Sequence, residues 1–184
     1  MSGEGATITS WVALLRGVNV GGVTMRNAEL ASVFSRLGFE DARAVLASGN
    51  VVFTGPTDVA SDRPALTARI ERALADAFDY DAKLILVPQR ALRSIVDQFP
   101  FDAADPSRQP WVVFCVDGAR EELLAHAEVG DSVADPVLAG DGVVYWNPQK
   151  GHSTSSRFAK FLAKSSMRTR TTNRNLRTLR KLLD

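Results

Sequence analysis

Three observations predict an α+β fold of two small subdomains. Residues 1–88 alternate apolar runs with helical periodicity in the order β-α-β-β-α-β. Pro88 closes that series, and a second mixed series of helices and strands fills 89–184. At 184 residues the chain is long for one compact domain and short for two large ones. The first subdomain is therefore placed at 1–88 and the second, with basic C-terminal helices, at 89–184.

The elements follow in chain order. Residues 11–16 form an apolar run that stops at a glycine-rich loop over 17–24, the pattern of a buried strand. Residues 25–37 carry Leu30, Val33, Phe34 and Leu37 on one helical face, and Gly38 is expected to cap that helix. Residues 42–47 and 50–54 read as short strands of a hairpin turned at Ser48-Gly49. After a polar connection over 55–63, Pro64 sits where a first helical turn tolerates proline. Leu66, Ile70, Ala73, Leu74, Ala77 and Phe78 carry the helix onward, and 83–87 is a strand that Pro88 ends. This order is the split βαβ, or ferredoxin-like, plait.

The second series opens with a helix over 89–98, through Leu92, Ile95 and Val96. A proline-containing loop over 100–110 leads to a strand over 111–116 and a helix over 120–127. Residues 132–138 read as a strand interrupted by Pro136, and 143–146 as a strand after the turn Gly140-Asp141-Gly142. A helix over 156–164 presents Phe158, Phe161 and Leu162, and a last helix over 173–183 presents Leu176, Leu179 and Leu183. The unit reads as a second α+β subdomain with extra C-terminal helices.

Composition narrows the class. The chain is 45% hydrophobic and 23% charged, an ordinary globular balance. A chain of this size buries roughly 70% of its unfolded surface. The single cysteine, Cys115, lies in the apolar run Trp111-Val112-Val113-Phe114-Cys115-Val116 and reads as a small buried hydrophobe. One cysteine cannot form an internal disulfide, so nothing points to an oxidising compartment. The sequence has no 18-residue apolar stretch and no basic-then-apolar leader, so a cytoplasmic protein without a membrane span is expected. The net charge of +1 hides an asymmetry: residues 1–149 carry −8 and residues 150–184 carry +9. Such a basic block attracts nucleic acid or another polyanion, or docks on the acidic remainder of its own chain.

Four stretches carry candidate chemistry. Arg16-Gly17-Val18-Asn19-Val20-Gly21-Gly22 joins a strand to a helix, so its main-chain N–H groups could face an anion, with Arg16 as a two-point donor. It is neither G-x-G-x-x-G nor a P-loop, and the plainer reading is a tight strand-to-helix turn using glycine, which accounts less well for Arg16 and Asn19. Ser48-Gly49-Asn50 is a hairpin turn whose Asn50 amide could instead meet a ligand. The loop after the first strand and this hairpin are expected at opposite sheet ends, which separates them. Lys150-Gly151-His152-Ser153-Thr154-Ser155-Ser156-Arg157 precedes a helix. Ser153, Thr154 or Ser155 would cap it, or Lys150 and Arg157 would hold an anion there. Thr171-Thr172-Asn173-Arg174-Asn175 offers Thr172 or Asn173 as a cap. Arg174 and Asn175 could reach a phosphate or pair with a carboxylate.

Catalytic constellations are poor. His126 sits on a charged helix and reads as a surface residue, and His152 has no assignable partner as a general base. No Cys and His cluster suggests a metal, and no motif names a cofactor. RNA-recognition modules of plait fold stack bases on strand aromatics; Trp11 and Phe53 alone do not make that pattern.

Three stretches together carry a resemblance: Ala13-Leu14-Leu15-Arg16-Gly17-Val18-Asn19-Val20-Gly21-Gly22, Leu46-Ala47-Ser48-Gly49-Asn50-Val51-Val52-Phe53, and Arg174-Asn175-Leu176-Arg177-Thr178-Leu179-Arg180-Lys181-Leu182. In order and spacing the chain resembles the bacterial domain-of-unknown-function family numbered 1697 over nearly its whole length. It departs from that pattern at Leu176, where the family has a tryptophan. The resemblance implies two plait-related α+β subdomains and no activity, because none is established for the family.

The expected function is a binding module for a small anionic or phosphorylated ligand through Arg16, Asn19, Gly21 and Asn50, with Arg174 and Asn175. One alternative is a nucleic-acid-binding protein using the basic C-terminal segment, and another is an enzyme with a site between the subdomains. Neither a cofactor nor an oligomeric state follows from the residues.

Overall fold

The structure is a computed structural model and describes residues 8–17, 25–46, 49–56, 63–130 and 132–184. Its chain divides into two compact units. One comprises residues 1–92 with 181–184, the other residues 93–180.

The first unit holds β1 (Ile8–Arg16), α1 (Asn27–Arg36), β2 (Glu40–Ala44), β3 (Asn50–Pro56), α2 (Arg63–Phe78) and β4 (Lys83–Pro88). Its four strands form an antiparallel sheet in the order β2-β3-β1-β4. This is the split-βαβ plait that the element order predicts. Trp11, Ala13 and Leu15 alternate along β1 onto the helix side of the sheet, opposite Phe53, Val51 and Leu84 in the flanking registers. Leu30, Val33 and Phe34 of α1, with Leu66, Ile70 and Leu74 of α2, close that core. Phe39 and Phe53 meet as tilted rings with centroids 4.7 Å apart, and Phe34 adds a second contact to Phe53 at 5.1 Å. Burying each such ring contributes roughly 1.5–3 kcal/mol. α1 ends where Leu37 turns its N–H to the Val33 and Phe34 carbonyls. Gly38 follows at φ +84°, the left-handed conformation that suits glycine after a helix.

A further helix, α3 (Gln89–Asp97), follows β4 directly. Leu182, fully buried, belongs to the first unit, and its carbonyl accepts from Gln89 Nε2 at 2.9 Å.

The second unit continues with β5 (Trp111–Cys115), α4 (Ala119–Glu128), β6 (Val137–Ala139), β7 (Val143–Trp146), α5 (Arg157–Leu162), α6 (Ser165–Arg168), β8 (Thr171–Asn175) and α7 (Leu176–Lys181). Its sheet runs β6-β7-β5-β8, all antiparallel, and repeats the strand order of the first. Val113, Val144 and Trp146 face a core with Leu123, Phe158 and Met167. On the opposite sheet face, the Tyr145 hydroxyl donates to the Ile95 carbonyl at 2.8 Å.

Three element expectations are corrected. Residues 132–138 are not one strand: turns precede Pro136, which has no N–H to pair, and only Val137–Ala139 joins β7. The helix expected over 156–164 ends at Leu162, and a separate short helix, α6, follows it. The last helix is shorter than expected because Thr171–Asn175 is a strand, registered with β5 from Cys115 back to Trp111. So α5 and α6 lie between strands of the plait, and only α7 follows the last one.

Candidate functional site

The residues singled out in the first unit sit at one end of its sheet. Arg16, half-buried, ends β1 opposite Lys83 in the β1–β4 register. Asn50 begins β3 opposite Leu14 and is fully buried. Leu15 N–H donates to Gly49 O at 2.8 Å, so the end of β1 and the hairpin lie side by side. The expectation of opposite ends is wrong, because β1 and β3 are antiparallel and the finish of one meets the start of the other. The Asn50 amide donates to Val45 O at 3.1 Å, and Val45 N–H donates to Asn50 O, which closes the β2–β3 hairpin. Lys83 already pairs with Glu71 at 3.4 Å and Asp81 at 3.5 Å. Asn19 and Gly21 lie outside the described residues.

Arg174 and Asn175 sit on β8 in the second unit, and both have internal partners. Arg174 is only 8% exposed, and its Nη1 donates to Thr172 Oγ1 at 2.7 Å and Asn173 O at 2.9 Å. Burial pulls its guanidinium pKa down to about 10. Asn175 Oδ1 accepts from Arg177 N–H at 2.9 Å and so starts α7. Leu176 is fully buried, which fits a packing role for that position. Arg170, another cation of the basic block, holds Glu122 at two points, 2.8 and 3.0 Å.

The second unit contains a pocket of about 210 Å³ that sequence reading missed. Its wall brings together both histidines of the chain, His126 and His152, with Asp135, Gln149, Ser156 and Arg157. Four separate chain segments build it, so no local spacing announces it. Phe158 contributes apolar lining and packs on Trp146 with centroids 5.2 Å apart.

Each polar group there has a structural reason for its position. Asp135 accepts from Trp146 Nε1 on one oxygen and from Phe158 N–H on the other, at 2.5 and 3.3 Å. Ser156 caps α5, its Oγ accepting from Ala159 N–H at 3.0 Å; the caps expected at Ser153, Thr154 or Ser155 are one to three residues early. With those two N–H groups satisfied internally, what remains for an anion is side-chain charge. Arg157 donates Nη1 to Val129 O at 3.0 Å, which ties it to the end of α4. Arg108 braces the opposite wall, donating to the carbonyls of Val133, Ala134 and Asn147 at 3.0, 3.1 and 3.4 Å.

His126 is half-buried, not a surface residue as its charged helix suggests. Its ring lies parallel to Phe161, and its Nε2 is buried with no hydrogen-bond partner among the described residues. Burial first, and then the Arg157 guanidinium, hold its pKa below the ordinary imidazole value. Among the described residues no group of three or more His, Cys, Asp or Glu side chains could hold a metal ion, and no helix is long and apolar enough to cross a membrane.

The family model described as "Protein of unknown function (DUF1697)" matches residues 8–145. A solved structure titled "The structure of conserved bacterial protein SP0830 from Streptococcus pneumoniae" is similar in fold, with a TM-score of 0.77 at 22% identity. The match covers 96% of this chain and 97% of that one. No curated protein matches the chain.

Proposed function

This chain belongs to DUF1697, and we propose that it is a binding module for a small anionic or phosphorylated ligand, seated in the pocket of the second unit. The observation that carries this reading is the charge of the pocket wall. Arg157 and two imidazoles line about 210 Å³, while the one carboxylate among the described lining residues, Asp135, is engaged on both oxygens by Trp146 and Phe158. An anion entering meets a guanidinium fork with two imidazole rings beside it, chemistry that suits carboxylate and phosphate oxygens. We place the protein in the bacterial cytoplasm, in keeping with its single cysteine.

The test is thermal unfolding at low salt with inorganic phosphate or small carboxylates. A ligand at 100 times its Kd adds about 2.7 kcal/mol, a rise in Tm of about 5–10 °C for a chain of this size. Arg157→Ala should abolish the rise, and a rise that survives the substitution rejects the pocket.

A second anion site is favoured by one observation. Antiparallel pairing sets Arg16, Lys83 and the Gly49–Asn50 corner at one sheet end. Arg16→Ala in the same assay separates the two sites. The basic block as a nucleic-acid surface draws less support, because Arg170 and Arg174 both have partners inside the unit.

A further inference from the structure

Arg157 and His126 line the pocket and also a second, shallower depression of about 340 Å³, completed by Lys160, Phe161 and Lys164. Arg157, Lys160 and Phe161 belong to α5, and Lys164 follows in extended backbone just before α6. Lys160 and Lys164 are exposed, and Lys164 Nζ stands 4.7 Å from the centre of the Phe161 ring. Among the described residues no carboxylate lines this shelf. The two depressions share His126 and Arg157: one has the apolar surfaces of Phe158, Val137 and Ala134, and the other is the more open and carries the lysines.

We propose that the ligand of this site is an organic diphosphate. Its compact body fills the pocket over Phe158, its first phosphate lies at Arg157 and His126, and its second lies on the shelf between Lys160 and Lys164. The proposal rests on the anion-binding reading above and sharpens it. An engineered cavity of about 150 Å³ takes a benzene ring. The pocket of about 210 Å³ thus has room for a body the size of a single ring. A lone phosphate at Arg157 leaves Lys160 and Lys164 with no counter-charge from the described lining of the shelf. A second phosphate linked to the first supplies that charge at no further cost in binding entropy.

Calorimetric titration of the full chain with inorganic phosphate and with inorganic pyrophosphate tests this. Pyrophosphate should bind at least about tenfold tighter, the worth of one added charge-assisted contact. The double variant Lys160→Ala/Lys164→Ala should lose that advantage and keep its affinity for phosphate, which also shows that it folds. Arg177→Ala/Arg180→Ala removes equal charge from exposed positions off the shelf and should keep the advantage. Equal affinity for the two anions, or an equal loss in both double variants, overturns the diphosphate proposal and leaves the pocket as a site for single anions. An absence of heat with either anion overturns the anion-binding reading itself.

Discussion

His126 lies flat on Phe161, ring centroids 3.9 Å apart and planes 7° from parallel. The contact puts an imidazole from α4 against α5, where it lines both the pocket with Asp135 and His152 and the shelf with Lys160 and Lys164. Its pKa in the fold lies below the usual value, through burial and then the Arg157 charge. The unfolded chain therefore takes up this proton first as pH falls. Stability that is present above about pH 6.5 is lost as pH drops from there through the lower folded value. An imidazole titration by NMR should place the His126 midpoint below about 6.5. A midpoint above that value contradicts the burial and charge assigned to the site.

An anion at Arg157 reverses part of this effect, because it offsets the guanidinium charge that His126 feels. Phosphate should move the His126 midpoint upward, and its affinity should rise as pH falls through the imidazole range. Affinity independent of pH between about 5.5 and 8 would place the anion away from this imidazole.

Glu122 and Arg170 tie α4 to the turn before β8 by a two-point ion pair. Arg170 holds the Glu122 carboxyl below the ordinary carboxylate range. The stabilisation is present above the unfolded glutamate pKa and is lost as pH falls through the lower folded value. Both groups are solvent-facing, so Glu122→Gln should lower Tm only slightly, and less at high salt. A large loss, or one that salt does not reduce, would show a role beyond this pair.

Arg108 touches no proposed ligand, yet its guanidinium holds the carbonyls of Val133 and Ala134 beside the pocket wall. Arg108→Ala leaves those acceptors without their charged donor and should cost about 2 kcal/mol in denaturant unfolding. It should also weaken phosphate binding by loosening the segment that carries Asp135. Unchanged stability would contradict the bracing role.

Gly140 stands at the β6–β7 turn, where an added Cβ would meet Val143 Cγ2 and Tyr145 Cε2 at 2.6 Å. Both neighbours are buried, so Gly140→Ala forces them to shift and should destabilise by about 1–3 kcal/mol. Phosphate binding at the opposite face should persist in this variant.

Much of the fold was legible because apolar alternation and helical spacing coincide with the actual faces of β1, α1, α2 and β7. The miss at β8 has a physical cause. Thr171-Thr172-Asn173-Arg174-Asn175 contains no apolar residue and reads as a helix cap, yet main-chain pairing with β5 makes it a strand. Arg174 is buried there through its bonds to Thr172 and Asn173, which no periodicity anticipates. Asn50 was legible as a hairpin residue, and its amide indeed closes that hairpin on Val45. The pocket was illegible because it is long-range: His126, Asp135, His152 and Arg157 come from separate segments. Arg157 was legible as a cation for an anion at the start of its helix, but the Phe158 and Ala159 N–H groups there are satisfied by Asp135 and Ser156, and His152 was legible only as a base without a partner.

The most direct measurement follows the imidazole resonances during a phosphate titration at low salt. The chain has two histidines, and both line the pocket, so one histidine substitution assigns the spectrum. Binding in the pocket predicts that His126 and His152 shift together with a single Kd, and that Arg157→Ala removes both shifts. Resonances that stay fixed, or that shift equally in Arg157→Ala, would contradict the assignment of an anion to this pocket.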